Sequence, residues 1–456
     1  MAMRDYFFCG IGGSGMMPLA LIVAGQGHRV AGSDRALDQG RTAPKFEWLK
    51  SHGIALFPQD GSGITRPDQI VVASTAVEET VPDIQAAQRV GAQRLRRADL
   101  LAELFNAAAM GIAVGGTSGK STVTGMIGWI FHALGADPTV MNGAVMKNFA
   151  TPDAPFASAL VGKGPAFISE VDESDGSIAL YAPDIAVLNN IALDHKSMDE
   201  LRALFGAFTA KARVAVLNLD NAEVARFPRT NARTYSLGAV AADLMASAIV
   251  ERPDGVDFCV NGIPVSLKVP GRHNVSNALA ALAAAEAAGL PLGDAAAALG
   301  GFAGLNRRLD VVGTAGGVTV IDDFGHNPDK ISATLSALHA FPGRLLLFFQ
   351  PHGYGPLKQM GHELIATFGR EMNAEDQLVV CDPVYFGGTV DRSVGSAEIV
   401  AGVIAAGRAA THLPARDACG AWLRDAARPG DRIIIMGARD DTLSAFAAQL
   451  VQSLGD

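Results

Sequence analysis

Short apolar runs alternate with longer segments of helical periodicity along most of the chain. Most runs are apolar at nearly every position, which is typical of strands buried on both faces of a parallel sheet. The clearest runs read DYFFC, HRVAGSD, QIVVASTAV, MGIAVG, AFISEVDE, IAVLNNI, VTVIDDF, RLLLFFQ, DQLVVCD and DRIIIMGA. The helical segments include GMMPLALIVAGQG, RADLLAELF, VTGMIGWIFHALG and the Ala-rich NVSNALAALAAAEAAG, which we expect to be buried. This order of strands and helices predicts an α/β fold with doubly wound parallel sheets.

Length and composition support several domains of this kind. The chain has 456 residues, and domains usually contain about 100–200 residues. Hydrophobic residues make up 49% and charged residues 18%, which excludes intrinsic disorder and provides for several cores. We expect three α/β domains in series, over residues 1–107, 108–308 and 309–456.

Charge and cysteine content exclude several classes of partner. A net charge of −9 argues against a broad surface for nucleic acid or anionic membrane. The four Cys residues are widely spaced and form no CxxC pair, so neither a zinc knuckle nor a disulfide scaffold is indicated. No apolar run reaches the roughly 18 residues of a membrane span. We therefore expect a soluble cytoplasmic protein, a monomer or homodimer, that binds neither nucleic acid nor membrane.

A glycine-rich loop, GIGGSG, follows the first predicted strand and precedes a helix. In this context the glycines let backbone amides approach a pyrophosphate at the helix N-terminus. An acidic residue, Asp34, ends the next strand, where it can bond a ribose or another sugar. The candidate residues are Gly10, Gly12, Gly13, Ser14, Gly15 and Asp34. NAD, FAD and a nucleotide-sugar all present a pyrophosphate, and a loop without a ligand is the alternative.

The second glycine-rich loop, GGTSGKST, ends like a P-loop but has Val114 where the full spacing requires glycine. Its amides can still surround the β- and γ-phosphates of a nucleotide. Lys120 can neutralise charge there, and the Ser121 hydroxyl can ligate Mg²⁺. The candidate residues are Gly116, Thr117, Ser118, Gly119, Lys120, Ser121 and Thr122. The alternative is a surface lysine after an unrelated turn.

Four carboxylates follow the next strand, in the order Glu170, Asp172, Glu173 and Asp175. Carboxylates this close together repel one another unless solvent or a cation separates them. Beside a nucleotide loop they indicate a Mg²⁺ site, with a solvated acidic turn as the alternative. His195 follows a further strand, where sites of α/β proteins form, and we assign it to the metal site rather than to a structural role.

The last third of the chain places polar residues after two apolar strands. IDDFGHNP contains Asp323 and His326, and FFQPHGYG contains His352. Both segments should lie at one sheet edge, because parallel strands end on the same side. Arg307 and Arg308 lie at the predicted domain junction, where a guanidinium can reach a nucleotide or remain solvated.

Together these segments resemble the Mur ligase family. The matching motifs, in order, are GIGGSGM, GTSGKST, EVDESD, DH, GRHNVSNALAA, NRR, DDFGHNP and FQPH. They span nearly the whole chain and are most similar to the alanine-adding branch and to the branch that recycles a murein peptide. The resemblance implies a Rossmann-like N-terminal domain for a UDP-sugar, a central P-loop ATPase-like domain and a C-terminal Rossmann-like domain for the acceptor.

The resemblance also implies a reaction. ATP and Mg²⁺ convert the carboxylate of a UDP-N-acetylmuramate-type substrate to an acyl phosphate, which an amino acid amine attacks during peptidoglycan synthesis. It implies that Lys120 holds the γ-phosphate, that Ser121 and Glu170 bind one Mg²⁺, and that His195 binds a second. The remaining implied roles are ATP binding by Asn274, Asn277 and Arg308, catalysis by Asp323 and His326, acceptor binding by His326, His352 and Lys358, and a metal-bridging carbamate on Lys211. A helix-surface lysine is the alternative for Lys211.

The acceptor loop departs from the family pattern. The alanine-adding branch carries arginines where this chain has Gly353 and Gly355-Pro356, and the usual DDYGHHP is altered at Phe324 and Asn327. L-alanine is the default acceptor, and a murein tripeptide or another amine is the alternative. A non-catalytic nucleotide-binding protein, an NAD-dependent oxidoreductase and a folate-directed ligase are further alternatives. The last two explain fewer of the motifs.

Overall fold

The computed structural model describes residues 3–75, 77–193, 196–384, 394–438, 440 and 442–455. The chain divides into two compact units. The first contains the chain up to Leu305 apart from Arg252–Asp254, and the second contains those three residues and the chain from Asn306 onward. Two sheets lie in the first unit and one in the second.

The first sheet has five parallel strands in the order β3-β2-β1-β4-β5. The strands are β1 (Asp5–Cys9), β2 (Arg29–Ser33), β3 (Ala55–Phe57), β4 (Gln69–Ala73) and β5 (Gln93–Arg96). The helices are α1 (Met16–Gly25), α2 (Arg35–Asp38), α3 (Ala43–Ser51), α4 (Pro82–Val90) and α5 (Arg97–Asn106). The apolar runs correctly predict β1, β2 and β4. They miss β3 and β5, which are short, and β5 is mostly exposed.

The second sheet has ten strands in the order β15-β14-β13-β12-β11-β10-β6-β9-β7-β8. The strands are β6 (Met110–Gly115), β7 (Thr139–Met141), β8 (Ala159–Leu160), β9 (Ala166–Glu170), β10 (Ile185–Leu188), β11 (Val214–Asn218), β12 (Ala232–Ser236), β13 (Leu244–Arg252), β14 (Gly255–Val260) and β15 (Ile263–Leu267). Its helices are α6 (Lys120–Ala133), α7 (Met198–Ala210), α8 (Arg272–Ala287) and α9 (Leu292–Leu299), with short 3-10 turns at Ser177–Leu180 and Val224–Arg226. The middle of the Ala-rich helix α8 is fully buried, as the sequence predicts. The strand pairs β7–β8 and β14–β15 are antiparallel, which the strand–helix rhythm does not predict.

The third sheet lies in the second unit and has six strands in the order β16-β17-β21-β18-β19-β20. The strands are β16 (Asp310–Ala315), β17 (Val318–Asp323), β18 (Leu345–Gln350), β19 (Gln377–Val380), β20 (Ala409–His412) and β21 (Arg432–Gly437). The helices are α10 (Pro328–His339), α11 (Tyr354–Glu371), α12 (Ser396–Ala405), α13 (Arg416–Ala426) and α14 (Thr442–Gly455). Only the edge pair β16–β17 is antiparallel among the five recorded pairings of this sheet. The three sheets confirm the predicted α/β fold class.

Within the first unit, aromatic packing joins the two sheets. Phe105, at the end of α5, is buried with its ring centroid 5.7 Å from that of Phe167 and 5.1 Å from that of Tyr181. Trp48 on α3 donates a hydrogen bond from Nε1 to the Asp153 carbonyl at 2.7 Å. These contacts join helices α3 and α5 of the first sheet to the part of the chain that forms the second sheet. Boundaries at residues 107/108 and 308/309 stay predictions. In the described part of the chain, every helix is too short or too polar to cross a membrane.

Candidate functional site

A cavity of about 390 Å³ lies in the first unit between the two glycine-rich loops. Gly13, Ser14 and Gly15 line one side, and Lys120 and Glu170 line the other. The first three follow β1, Lys120 begins α6 after β6, and Glu170 ends β9. All of them are therefore at the carboxyl ends of parallel strands, where α/β proteins bind their ligands. The structure thus brings together residues that the sequence analysis assigned to two different ligands.

The first loop is shaped by Asp34. Its Oδ2 accepts a hydrogen bond from the Gly12 amide at 2.8 Å, and its Oδ1 accepts one from the Ala36 amide at 2.8 Å as the N-cap of α2. Gly10 has a φ of +78°, a conformation that other residues rarely adopt. Asp34 therefore holds the loop through backbone amides, and its contact with a sugar stays a prediction.

The second loop has the backbone of a phosphate-binding loop. Gly116 and Gly119 have φ values of +129° and +81°, which favour glycine, and α6 begins at the next residue. Lys120 Nζ donates to the Gly116 carbonyl at 2.8 Å and to Glu173 Oε2 at 2.8 Å. A lysine beside the N-terminus of a 14-residue helix suits a bound phosphate. Thr122 lies in the first turn of the same helix.

The carboxylates after β9 do not gather around one point. Glu170 Oε2 accepts a hydrogen bond from Ser121 Oγ at 2.7 Å, and Glu173 pairs with Lys120. Asp172 instead accepts a hydrogen bond from the Ser174 amide at 2.8 Å, and Asp175 accepts one from the Ser177 amide at 2.8 Å. Among the described residues, no three His, Cys, Asp or Glu side chains form a metal-ligand group. The pair Ser121 and Glu170 is the clearest candidate for the metal, and the Mg²⁺ site at the four carboxylates stays a prediction.

That pair suits a magnesium ion. A hydroxyl and a carboxylate are hard oxygen ligands that Mg²⁺ prefers, and Glu170 lines the cavity together with Lys120 of the phosphate-binding loop. His195, predicted as a second metal ligand, lies outside the described residues. Lys211 Nζ donates to the carbonyls of Ala179 and Tyr181 at 2.5 and 3.5 Å. These contacts favour an ammonium over a carbamate, although carbamylation itself stays a prediction.

Asn274 and Asn277, predicted at the nucleotide, are both buried in α8. Asn277 Nδ2 donates to Asn274 Oδ1 at 3.0 Å, and Asn274 Nδ2 donates to the Pro270 carbonyl at 2.7 Å. The amide of Asn277 also faces the phosphate-binding loop, since a Cβ added to Gly119 would lie 2.7 Å from its Oδ1. The structure therefore places Asn277 behind the loop, and adenine contacts by either side chain stay a prediction.

In the second unit, Asp323 and His326 lie at the end of β17. Asp323 accepts hydrogen bonds from the amides of Leu309 and Gly325 at 2.9 and 2.8 Å, and from the Thr334 hydroxyl at 2.9 Å. Its carboxylate thus organises the loop, and its predicted catalytic role is untested. The neighbouring Arg307 is buried and pairs with Asp322 at 3.2 Å, which is a structural role.

His326 and His352 come together as predicted, with ring centroids 5.0 Å apart and nearly perpendicular planes. His326 Nδ1 lies 2.8 Å from the Phe324 carbonyl, and a carbonyl only accepts, so Nδ1 carries the proton. Burial, with the Lys330 ammonium as the next cause, lowers the pKa of His326 to about 3. The ring is therefore neutral at pH 7 and has its lone pair on Nε2.

The other two cations predicted in this region flank the histidines in sequence. The Arg308 guanidinium carbon lies 4.6 Å from the Phe324 ring centroid, which is a cation–π distance. Lys358 is exposed on α11. Their predicted contacts with ATP and the acceptor are untested.

Among the cavity residues that the sequence did not predict are three polar ones that directly follow strands. Ser74, Arg97 and Asn142 line the cavity beside the glycine loop. They directly follow β4, β5 and β7, so the rule that ligands bind at the carboxyl ends of strands would have found them if applied to every strand. Arg97 also lies against Gly15, since a Cβ there would be 3.3 Å from Arg97 Cδ. It adds a guanidinium to a site for an anionic ligand.

Family models match most of the chain. The model described as Mur ligase family, catalytic domain, matches residues 5–109. The Mur ligase middle domain matches residues 114–285, and the model described as Mur ligase, glutamate ligase domain, matches residues 307–439. These matches confirm the resemblance inferred from the motifs.

Individual relatives cover nearly the full length. A UDP-N-acetylmuramate–L-alanine ligase of Acidithiobacillus ferrooxidans is 34% identical, over 99% of this chain and 98% of the relative. One from Cereibacter sphaeroides is 35% identical, over 97% and 95%. Among solved structures, UDP-N-acetylmuramate-alanine ligase MurC of Thermotoga maritima has a TM-score of 0.78 at 23% identity, covering 98% of both chains. A murein peptide ligase of Psychrobacter arcticus has a TM-score of 0.72 at 24% identity, covering 99% of both. The chain belongs to the Mur ligase family of ATP-dependent ligases.

Proposed function

We propose that this protein joins the carboxylate of UDP-N-acetylmuramate to the amine of L-alanine, with ATP converted to ADP, as a step of peptidoglycan synthesis in the cytoplasm. The observation that carries the proposal is the single cavity lined by Gly13–Gly15, Lys120 and Glu170. A carboxylate needs a leaving group before an amine can displace its oxygen. A cavity that takes a sugar diphosphate on one side and a nucleotide triphosphate on the other allows that activation as an acyl phosphate.

The residues of the first unit have distinct tasks in this reaction. The amides of Gly13–Gly15 and the Arg97 guanidinium hold the diphosphate of the UDP-sugar. Lys120 and the N-terminus of α6 hold the β- and γ-phosphates of ATP. Ser121 and Glu170 hold Mg²⁺, which when bound neutralises charge on the transferred phosphoryl group. Rate enhancement then comes from positioning and charge neutralisation rather than from covalent catalysis by the protein.

The residues of the second unit act on the amine and on the transferred phosphoryl group. His326 is fixed with a protonated Nδ1, so Nε2 can accept a hydrogen bond from the incoming amino group. His352 packs at its edge. We assign His326 and His352 to the acceptor, Arg308 and Asp323 to the transferred phosphoryl group, and His195 to a second metal.

L-alanine is proposed from the relatives, and the acceptor loop supports a second candidate. Among the described residues, no atom lies within 4 Å of a Cβ added at Gly355, so the first atom of a longer side chain would have open space there. Gly353 has a φ of +139°, which disfavours any replacement there. A longer amine, such as the murein tripeptide, is therefore the alternative acceptor.

The test is ADP release with Mg²⁺-ATP, UDP-N-acetylmuramate and one amine at a time: L-alanine, glycine, L-serine or the stem tripeptide. Lys120→Ala is the blank. Release with L-alanine at the highest kcat/KM supports the proposal, and a preference for the tripeptide supports the alternative. If no amine gives release that depends on Lys120, the chain uses another carboxylate or binds nucleotide without catalysis.

A further inference from the structure

Buried side-chain amides form a continuous chain behind the phosphate-binding loop. Asn189 follows β10 and is 3% exposed. Its Nδ2 donates to the Ser118 carbonyl at 3.0 Å and to Asn277 Oδ1 at 3.1 Å. The Tyr235 hydroxyl, which is fully buried on β12, donates to Asn189 Oδ1 at 2.6 Å. One amide thus separates Tyr235 from the backbone of the loop.

Carbonyl acceptors at both ends fix the orientation of every amide in this chain. At one end Asn274 must present its NH₂ group to the Pro270 carbonyl, so its Oδ1 faces Asn277. Asn277 therefore presents its Oδ1 to Asn189 and accepts a hydrogen bond from the Asn189 NH₂ group. The same NH₂ group donates to the Ser118 carbonyl of the loop. The Asn189 oxygen is left for Tyr235, whose hydroxyl has to donate. No amide can rotate without breaking a bond to a carbonyl.

The loop rests directly on these amides. A Cβ added to Gly119 would lie 2.4 Å from Asn189 Nδ2 and 2.7 Å from Asn277 Oδ1. Asn190 adds two further bonds, because its Oδ1 accepts from the Ser118 amide at 2.8 Å and its Nδ2 donates to the Ser118 carbonyl at 3.0 Å. The conformation at Ser118 and Gly119 decides where the neighbouring amides point.

We propose that Asn189 and Tyr235 are positioning residues for the nucleotide: Asn189 holds the Ser118–Gly119 backbone in the conformation that receives phosphates, and Tyr235 holds Asn189. Neither side chain lines the cavity between the glycine-rich loops. They act through the loop rather than by touching the ligand. The inference rests on the proposed function, because it requires that ATP binds at Lys120.

The first test is Tyr235→Phe, which removes one hydroxyl and leaves Asn189 Oδ1 buried without a donor. Titration calorimetry measures the Kd for Mg²⁺ with the non-hydrolysable analogue adenylyl imidodiphosphate. We expect Kd to rise about tenfold, equal to about 1.4 kcal/mol, which is within the usual cost of an unsatisfied buried acceptor. The Kd for UDP-N-acetylmuramate should stay unchanged. Tyr6→Phe, at another buried tyrosine on β1, is the matched control and should change neither Kd.

A second variant separates positioning from general stability. Asn189→Asp keeps an acceptor for Tyr235 but replaces the NH₂ group that faces Ser118 and Asn277 with a second oxygen. We expect a larger rise in the nucleotide Kd than for Tyr235→Phe, again with UDP-N-acetylmuramate unaffected. Equal weakening of both ligands in parallel with a lower Tm would mean a purely structural role and overturn the inference. So would an unchanged nucleotide Kd in both variants. If the unsubstituted protein does not bind the nucleotide, the proposed function fails as well.

Discussion

Gly143 lies beside the carboxylate that we assign to magnesium, and this proximity makes Gly143→Ala a sharp test of that assignment. A Cβ on Gly143 would lie 2.1 Å from Glu170 Oε1, whereas real Cβ atoms keep at least about 3.0 Å. The carboxylate therefore has to move by about 0.9 Å. Because it is the end of a flexible side chain, it can move without disturbing the backbone, so we expect little change in Tm.

The expected effect is on catalysis. Ser121 and Glu170 are 2.7 Å apart, and a displacement close to 1 Å removes their contact. Misplacement of a reacting geometry by about 1 Å can cost about 100-fold in rate. We expect kcat for ADP release to fall by about that factor, which is about 2.7 kcal/mol in the barrier. Binding of UDP-N-acetylmuramate alone, measured by calorimetry, should be retained.

The matched control is Gly293→Ala in α9, where an added Cβ meets nothing within 4 Å. Alanine at a helical position is about as favourable as glycine or better by up to about 1 kcal/mol, so this variant should keep wild-type kinetics. If Gly143→Ala retained full activity across a Mg²⁺ titration, the Glu170 carboxylate would not be a metal ligand. A large fall in Tm would instead mean that the backbone had moved and that the geometric argument fails.

Four further predictions follow from individual contacts. Lys120→Ala leaves the buried Glu173 carboxylate without its partner, so we expect the unfolding free energy to fall by about 1–3 kcal/mol in a denaturant titration. Adding Glu173→Gln should recover part of this loss. Additive losses in the double variant would contradict the pairing. Gly119 has a φ of +81°, and a Cβ added there would make two close contacts. Gly119→Ala should therefore distort the loop, and calorimetry should detect no binding of adenylyl imidodiphosphate. Wild-type affinity in this variant would refute the loop geometry. The pKa of His326 is lowered to about 3 in the folded protein, from a value near 6.5 in the unfolded chain. Between these values the unfolded chain binds the extra proton. The unfolding free energy therefore falls as the pH drops from about 6.5 towards 3, by at most about 1.4 kcal/mol per pH unit. His326→Asn should lack this part of the slope in urea titrations at successive pH values, and identical slopes would contradict the shift. Lys211 donates to two carbonyls as an ammonium, so the rate of ADP release should be the same in CO₂-free and bicarbonate-supplemented buffers. A higher rate with bicarbonate would support a carbamate on Lys211.

The apolar runs predicted the central strands of each sheet because parallel strands buried on both faces carry few polar residues. β18 and β21 are of this kind, and nearly all their residues are buried. The same signal is absent from β5, which reads QRLR and lies at a sheet edge. β14 and β15 pair as an antiparallel hairpin, a local arrangement that the strand–helix rhythm does not indicate. The fold class was therefore predictable, whereas the edges of the sheets were not.

At the site, the sequence predicted the two glycine-rich loops but not which side chains contact one another. The glycines of both loops are a local signal, since each follows a strand and begins a helix. The sequence could not show which partner each carboxylate after β9 has, because neighbouring side chains on a strand and turn point in different directions. Glu170 and Glu173 consequently face Ser121 and Lys120 separately. The link from Tyr235 through Asn189 to the loop joins distant parts of the sequence, and only the sheet order brings them together.

The altered acceptor loop lies in a different unit from the cavity that we assign to the phosphates. The residues assigned to the UDP-sugar, to the β- and γ-phosphates of ATP and to the first Mg²⁺ belong to the first unit, and Gly13–Gly15, Lys120 and Glu170 line one cavity there. We therefore expect activation of the carboxylate to depend mainly on the first unit, in which the motifs GIGGSGM, GTSGKST and EVDESD are intact. The altered loop with Gly353 and Gly355 belongs to the second unit, so it can change the amine that is accepted without changing that activation. It follows that a difference in specificity should appear in the KM of the amine, while the KM values of ATP and UDP-N-acetylmuramate stay constant across the amines that are accepted.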